Sequence, residues 1–360
     1  MNLLTLLKHL ELSQWKKRVI PEVKGPILTR YDLQYKRAPK GDFASRTSGS
    51  TGMPVEIQRT FLSNAWWNAT NLLEAIWAKR DLSQVFAIIR PNILNEITLS
   101  DWGPSFALLG KTGPLYAHPV KGDINSWLQK IQPGYLMTFP SILETIDLKA
   151  LKNLKGIKTT GESLVNRSRM IADMYSCEEV GTIAIQCPDQ MENYHVMENI
   201  IVEILDEDDK PCQIGRVVLT DLTSRYLYRY DIGDYAEFGE CKCGRGLQTI
   251  KKIFGRRRNM VVLPDGSRHW PRFGSIFFRD IAPIKRFQMV QLNRVTLELR
   301  VVIDNPLSDV QYDAICKLVH QWIGYPFEIR ISYLDEFSPG KFEEFISLVI
   351  TEKCSESSCL

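Results

Sequence analysis

Residues 64–79, NAWWNATNLLEAIWAK, precede the apolar run at residues 85–89, VFAII. The first segment predicts an amphipathic helix, because apolar side chains recur in it at helical spacing. The residues assigned to its apolar face are Trp67, Leu72, Ala75 and Ile76. The second segment is a short unbroken apolar run, which is typical of a buried strand. A helix followed by a buried strand is the repeating unit of layered α/β domains.

The same helix and strand pairing recurs twice further along the chain. Residues 124–131 precede the short apolar run YLMT at 135–138, and residues 142–151 precede GIKTT at 156–160. Helices that alternate with buried strands favour a largely parallel sheet. The sequence therefore predicts an α/β fold for this part of the chain.

Downstream of this region the apolar pattern changes. Between residues 196 and 250 the segments IIVEIL, GRVVLTDL and YAEFGE alternate in steps of two between turn residues, which predicts an antiparallel β region. After it, VTLELRVVI, a helical pattern at 309–323 and EIRISYL predict a compact α+β domain. We therefore predict a large domain at 1–258 and a small, mobile C-terminal domain at 259–360, with a frayed tail at 351–360.

Composition excludes several classes of protein. The chain has 360 residues, and 45 Lys and Arg against 42 Asp and Glu give a net charge of +3, too low to predict nucleic-acid binding. No apolar run is long enough to predict a membrane span, and the Leu-rich N-terminus lacks the basic leader of a signal peptide. The eight scattered cysteines favour thiols or metal ligands in a reducing compartment. We therefore expect a cytoplasmic protein.

A loop rich in hydroxyls and glycines is the sharpest local signal. Its residues are Thr47, Ser48, Gly49, Ser50, Thr51 and Gly52. Glycines allow backbone amides to approach an anion closely, and the hydroxyls add donors that suit phosphate oxygens. No Gly-Lys-Ser/Thr follows, so this is not a Walker loop. A flexible connection is the alternative interpretation of this composition.

Further short motifs follow this loop in a fixed order. They are YSCEE at 175–179, YRYDIGD at 228–234, CKCGR at 241–245, GRRRNM at 255–260 and SPGK ending at Lys341. Together with the TSGSTG loop, this set resembles the adenylate-forming superfamily, and within it the phenylacetate-CoA ligase-like branch. The resemblance extends over about residues 27–345, nearly the whole chain.

The resemblance implies a nucleotide site in the large domain. The loop at residues 47–52 would hold the β- and γ-phosphates of ATP. Gly161, Glu162 and Ser163 look like the segment that lines the adenine site, and Tyr175 is similarly placed to stack on the base.

It also implies roles for four charged residues. Glu179 matches an acid that helps to hold Mg²⁺, and Asp234 matches a carboxylate that accepts hydrogen bonds from the ribose hydroxyls. Arg256 matches a guanidinium beside the ribose and phosphate, and Lys341 matches a mobile lysine that bridges the substrate carboxylate and the α-phosphate. Lys341, Glu179 and Arg256 are thus the expected catalytic residues.

The implied activity is ATP-dependent activation of a small carboxylic acid to an acyl-adenylate. A thiol, either coenzyme A or the phosphopantetheine arm of an acyl carrier protein, would then take the acyl group. A homodimer is left open.

Each assignment has a structural alternative. Asp234 could be an ordinary turn residue, Arg256 part of a solvated basic turn, and Lys341 an exposed loop residue. Ser176 and Asn259 replace a glycine and a hinge aspartate of the family pattern. An amide-forming relative and a non-catalytic binding module therefore stay open as alternatives.

A second group of residues has metal-ligating side chains: Cys187, His195, Cys241 and Cys243. Three thiolates and one imidazole make a closed tetrahedral zinc set, although the Cys-x-Cys spacing is tighter than usual. The alternative is that Cys187 is a buried apolar residue and the CKC segment an exposed loop. If zinc is bound by these four residues, it would support the structure and take no part in the chemistry.

Overall fold

A computed structural model describes residues 23–35, 40–46, 55–106, 110–162, 164, 168–224, 226–256, 259–271, 278, 280–337 and 344–349. The predicted phosphate loop at residues 47–52, Ser163, Lys341 and the tail at 351–360 lie outside these residues. The chain divides into two compact units, Met1–Ile253 and Phe254–Leu360. The domain boundary after residue 258 stays a prediction of the sequence.

Short strands and a few helices make up the first unit. Its helices are α1 (Arg30–Tyr35), α2 (Phe61–Trp77), α3 (Ile124–Ile131) and α4 (Pro140–Leu143), with a 3₁₀ turn at Leu148–Ala150. Its strands, the last of which runs into the second unit, are β1 (Phe43–Arg46), β2 (Glu56–Arg59), β3 (Phe86–Ile89), β4 (Ile97–Leu99), β5 (Leu115–His118), β6 (Tyr135–Thr138), β7 (Gly156–Thr160), β8 (Ile171–Cys177), β9 (Gly181–Gln186), β10 (Tyr194–Val196), β11 (Ile200–Leu205), β12 (Ile214–Asp221), β13 (Tyr230–Gly239) and β14 (Thr249–Arg256).

Twelve of these strands form one sheet in the order β11-β12-β13-β14-β10-β9-β8-β7-β6-β3-β5-β4. The central strands β5, β3, β6, β7 and β8 pair in parallel, whereas β9 to β13 pair antiparallel. Both the predicted α/β region and the predicted antiparallel region are confirmed. They are halves of one continuous sheet, which the sequence pattern did not indicate.

The parallel strands bring distant residues to one edge of this sheet. The first residues after strands β3, β6, β7 and β8 are Arg90, Phe139, Gly161 and Glu178, respectively. We call this the carboxyl edge. Ligands of open α/β sheets bind outside the carboxyl ends of the strands, so this edge is where a site is expected.

Helix α2 confirms the predicted helix and half of the predicted apolar face, since Leu72 and Ala75 are buried. The helix begins after a capping box in which the Thr60 hydroxyl accepts from the Ser63 amide. Trp67 and Ile76, assigned to the buried face, are each 44% exposed. The neighbouring residues Trp66 and Trp77 are buried in their place. Trp67 and Ile76 each lie one residue, about 100° of helical rotation, from one of these buried tryptophans.

The helix predicted over residues 142–151 is wrong in extent. Helix α4 ends at Leu143, and only the 3₁₀ turn at Leu148–Ala150 follows it. The carboxylate of Asp147 accepts from the Lys149 amide at 3.1 Å, and the Thr145 hydroxyl donates to the Ile142 carbonyl at 2.7 Å. These local side-chain bonds compete with the helical pattern and interrupt it.

The second unit has its own sheet and core. Its strands are β15 (Val261–Val262), β16 (Arg268–His269), β17 (Arg286–Gln291), β18 (Thr296–Val302), β19 (Glu328–Tyr333) and β20 (Phe345–Ser347), and its helix is α5 (Asp309–Ile323). The sheet order is β19-β18-β17-β20, and α5 covers it with Ile315, Val319 and Ile323 buried. The predicted helix over 309–323 is confirmed to the residue. Among the residues that the structure describes in both units, no helix is long and apolar enough to cross a membrane.

A buried charge cluster lies between α2 and the sheet. The Glu74 carboxylate is 2.5 Å from the Arg80 guanidinium and 3.4 Å from the Lys158 ammonium. All three side chains are at most 5% exposed. Burial opposes the charged carboxylate, but the two cations outweigh it and lower the pKa of Glu74.

We expect Glu74→Gln to lower the free energy of unfolding by roughly 3–5 kcal/mol, because two cations would be left buried without their carboxylate. Urea titration of the full chain measures this. Lys155→Gln is the matched control, since its ion pair with Asp81 lies in solvent. Equal small losses for the two variants would contradict the assignment of the cluster as a buried pair.

Candidate active site

Two predicted motif segments contact each other twice. The Tyr175 hydroxyl donates to Oδ2 of Asp234 at 2.8 Å, and the Tyr230 hydroxyl donates to Oε1 of Glu179 at 3.2 Å. Residue 175 lies on β8 and residue 234 on β13, four places away in the sheet order. Four strand spacings amount to about 19 Å in a flat sheet. The sheet must therefore curl to bring these segments together.

Glu179 lies in a protected and charged environment. It is 9% exposed, and its Oε1 is 3.5 Å from a guanidinium nitrogen of Arg30 on α1. Burial, followed by the charge of Glu179, raises the pKa of Tyr230 far above its usual range. The phenol therefore stays protonated and can donate to the carboxylate. Burial and the same carboxylate raise the pKa of Cys177, which makes this thiol a poor nucleophile.

The segment after β7 has a backbone that only glycine tolerates well. Gly161 has φ +85°, and a Cβ placed on it would lie 3.0 Å from Cε1 of Phe139. The next residue, Glu162, accepts from the amide of Ser141 at 2.9 Å and from its hydroxyl at 3.0 Å. Glu162 therefore caps the first turn of α4 and fixes the end of β7 against the end of β6.

A small pocket adjoins Glu179. Other residues that line it include Gln58, Arg59, Ser63 and Asp221. Arg59 donates to the carbonyl of Glu178 at 2.7 Å, which ties β2 to the end of β8. Burial raises the pKa of Asp221, although hydrogen bonds from Thr223 oppose the shift. Carboxylate, amide and hydroxyl oxygens thus line one small space together with the Arg59 guanidinium and the apolar side chains of Val180 and Leu227.

Arg256 and Asn259 belong to the second unit. Arg256 is the last residue of β14 and is partly buried, and Asn259 lies just before β15. Oδ1 of Asn259 is buried and has no hydrogen-bond partner among the described residues. The roles assigned to Arg256, to Lys341 and to the loop at 47–52 stay predictions.

The four metal-ligating residues converge. The ligand atoms of Cys187, His195, Cys241 and Cys243 all lie within 4.8 Å of one another. The Sγ atoms of Cys241 and Cys187 are 3.6 Å apart, and Sγ of Cys243 is 3.2 Å from Nε2 of His195. Bonds of about 2.3 Å to sulfur and 2.0 Å to nitrogen place tetrahedral ligand atoms roughly 3.5–3.8 Å apart, so the set fits zinc.

The surroundings of this cluster suit a metal with thiolate ligands. Arg245 lies 3.6 Å from Sγ of Cys187 and also donates to the Asp189 carboxylate, so it brings positive charge to the sulfurs. Burial, followed by the charge of Arg245, lowers the pKa of His195 to about 4. The imidazole is therefore neutral at neutral pH, which is the form that binds a metal.

The sequence analysis missed two residues of the site around Glu179. Arg30 and Tyr230 both contact Glu179, yet neither received a role. Tyr230 falls inside the YRYDIGD motif, so its pairing could have been considered from the motif alone. Arg30 lies on a short helix with no buried residue, and nothing in its local sequence indicates a partner 149 residues away.

Neither a family model nor a curated protein matches this sequence. Solved structures match it in fold. A 2-hydroxyisobutyryl-CoA ligase in the postadenylation state with R3-HIB-AMP is 16% identical with TM-score 0.66, over 98% of this chain and 90% of that one. Amide bond synthetase McbA from Marinactinospora thermotolerans is 14% identical with TM-score 0.55, over 82% of this chain and 65% of that one. Anthranilate CoA ligase AuaEII with anthranoyl-AMP is 13% identical with TM-score 0.58, over 83% of this chain and 63% of that one.

Gly161→Ala should destabilise the chain more than Gly233→Ala. Both glycines have positive φ, so alanine at either position costs about 1–2 kcal/mol of backbone strain. Only at Gly161 would the added methyl group also meet a ring, that of Phe139, with an overpacking cost of about 1 kcal/mol or more. Chemical denaturation of both variants measures the difference. Equal losses would mean that Phe139 does not crowd this glycine.

Proposed function

We propose that this chain, which has the fold of adenylate-forming enzymes, activates a carboxylic acid with ATP and transfers the acyl group to a thiol. In the first step a carboxylate oxygen attacks the α-phosphorus, the bond from that phosphorus to the bridging oxygen breaks, and pyrophosphate leaves. In the second step the sulfur bonds to the acyl carbon, the bond to AMP breaks, and the thiol proton passes to solvent. A phenylacetate-CoA ligase-like subtype is part of the proposal.

The observation that carries this proposal is the double contact between the Tyr175 and Asp234 segments. Motifs that the resemblance assigns to one nucleotide site lie 59 residues apart in sequence and yet share a 2.8 Å hydrogen bond. A coincidental set of short motifs would have no reason to meet in space. Their meeting beside the carboxyl edge of the parallel strands favours a ligand site there.

The proposed nucleotide position follows from these contacts. Asp234 would accept hydrogen bonds from the ribose hydroxyls, while Tyr175 holds the carboxylate in place and contacts the base. Gly161 and Glu162 would line the base on the other side. Ser163 and the loop at residues 47–52 would complete the adenine and phosphate contacts.

The chemistry needs positive charge where the triphosphate and the acid meet. Lys341 and Arg256 would supply part of it, as donors aimed at the oxygens on which charge develops. Glu179 would hold Mg²⁺, which neutralises phosphate charge when it is bound. Glu179 fits this role because it lines the small pocket with other oxygen ligands.

Coenzyme A is the proposed acceptor, and the phosphopantetheine arm of a carrier protein is the alternative thiol. The similar structures support coenzyme A, since two of the three proteins are CoA ligases. The similarity to an amide bond synthetase keeps an amine acceptor as a second candidate. A cytoplasmic location and a small acid as partner belong to the same proposal.

We also propose that Cys187, His195, Cys241 and Cys243 hold a structural Zn²⁺. The segment from Cys241 to Cys243 follows β13, and Cys187 and His195 flank the β9–β10 connection, so a bound ion would join two parts of the antiparallel region. All four positions of a tetrahedral ion would be filled by protein, which leaves none for a substrate. The ion would stabilise the fold and take no part in the chemistry.

Acid-dependent exchange of labelled pyrophosphate into ATP tests the first step. We expect exchange with at least one acid of a broad panel, and Lys341→Ala should lower it by about 10²- to 10³-fold, because one preorganised cation is removed. Lys317→Ala, which removes an exposed lysine of α5, is the matched control and should leave exchange unchanged.

The product assay then separates the acceptors. Thioester formed with coenzyme A alone supports the ligase, whereas product formed only with a loaded carrier or an amine supports an alternative. If no acid supports exchange and ATP does not raise the melting temperature, the chain is a binding module and the proposed function is wrong.

Metal analysis tests the zinc site. Protein purified without added metal should contain close to one zinc per chain, and Cys243→Ser should lose it and melt at a lower temperature. Cys316→Ser is the control, because this free cysteine lies in the other unit. A zinc content that is unchanged in Cys243→Ser would exclude this cluster as the metal site.

A further inference from the structure

Arg90 is a cation at the carboxyl edge that has no ion-pair partner among the residues that the structure describes. It follows β3 directly and is only partly exposed. Its Nε is fully buried and has no hydrogen-bond partner among the described residues. Within the same residues no carboxylate lies at ion-pair distance from it. Its guanidinium carbon instead lies 5.5 Å from the centre of the Phe139 ring.

Three other arginines of this unit whose side chains are little exposed differ from Arg90. Arg80 is 2.5 Å from Glu74, Arg216 is 2.7 Å from Asp231, and Arg229 is 3.0 Å from Glu203. Their charges are compensated within the fold, as is usual for buried cations. Burial lowers the pKa of Arg90, and the more distant charge of Glu178 opposes this only in part. A guanidinium removed from water without a partner destabilises the protein, so its presence calls for another explanation.

Aromatic packing fixes the position of this guanidinium. Phe139 lies against the backbone at Gly161, and Arg90 lies over the face of the same ring. Stacking on an aromatic face leaves the N–H groups at the rim of the guanidinium plane able to donate. A planar guanidinium that lies over an aromatic ring and has no hydrogen-bond partner among the described residues is suited to binding carboxylate or phosphate.

We infer that Arg90 binds an oxyanion group of the ligand held at the carboxyl edge. The inference rests on the proposed function, in which this edge holds both an acid and ATP. Three groups share the required chemistry: the reacting carboxylate of the acid, a second carboxylate on its far end, and a phosphate of ATP. The substrate whose affinity falls when Arg90 is replaced identifies which of these three groups Arg90 binds.

Arg90→Met tests the inference without any ligand. Methionine keeps an apolar stem against Phe139 and removes the charge, so the melting temperature of the ligand-free protein should stay the same or rise. Arg80→Met, which removes a paired arginine, should lower it clearly. A comparable fall in both variants would show that Arg90 is a structural cation, and would overturn the inference.

Exchange kinetics with matched acids identifies the anion. Succinate and butyrate have the same chain length, so they differ mainly in the second carboxylate. Loss of a preference for succinate by roughly 30-fold or more in Arg90→Met identifies that carboxylate as the ligand. A similar rise in KM for both acids identifies the reacting carboxylate, and a rise in KM for ATP alone identifies a phosphate. Arg90→Lys should recover part of the loss.

Arg169→Gln is the control for a general loss of positive charge. This exposed arginine precedes β8 and therefore lies at the opposite end of that strand. The Arg169→Gln variant should leave the KM values for succinate, butyrate and ATP unchanged. Unchanged constants in Arg90→Met as well would overturn the inference while leaving the proposed function intact.

Direct binding keeps the two failures apart. If no acid supports exchange, calorimetric titration with succinate, butyrate, ATP and inorganic pyrophosphate still tests Arg90. Binding of one of these that weakens by roughly 30-fold in Arg90→Met supports an oxyanion site in a chain that lacks the activity. No binding, or equal binding by both proteins, overturns the inference.

Discussion

Two hydrogen bonds between buried tyrosines and carboxylates hold the candidate site together. Tyr175 on β8 donates to Asp234 on β13, and Tyr230 on β13 donates to Glu179 in the turn after β8, so β13 is fixed against β8 and the turn that follows it. The rings of both tyrosines belong to the same hydrophobic core cluster. Packing of this core therefore sets the curl of the sheet, and the curl sets the separation of the Asp234 and Glu179 carboxylates.

Polar groups in the first unit serve two different purposes. The cluster around Glu74 and the pairing of Glu162 with Ser141 satisfy one another inside the protein, and they fix helices against the sheet. At the carboxyl edge the compensation is incomplete, as Arg90 shows most clearly. Among the described residues, the Arg80, Arg216 and Arg229 guanidinium groups have carboxylate partners, whereas Arg90 has none and lies beside the proposed substrates, where a ligand can supply the anion.

The sequence predicted local elements better than it predicted their assembly. The helix at 309–323 and the strands at 135–138 and 156–160 agree with the structure to the residue, because periodicity and flanking caps act locally. The apolar face predicted for α2 was right at Leu72 and Ala75 and wrong at Trp67 and Ile76, because several faces of a largely apolar helix compete. The pairing of the two motif segments could not be predicted, since it depends on sheet order and curvature. That Arg90 has no ion-pair partner among the described residues could not be predicted either, because an ion pair is a property of the folded chain.

The crowding at Gly161 also affects how substitution data on this protein would be interpreted. Any side chain there strains the backbone and displaces the aromatic ring on which the Arg90 guanidinium lies. A selection for growth would score every replacement at this glycine as deleterious, although the residue contributes no reactive atom. Intolerance at this position would reflect the packing of Gly161, the Phe139 ring and the Arg90 guanidinium. A screen for variants with altered substrate scope should therefore leave Gly161 unchanged and vary its neighbours.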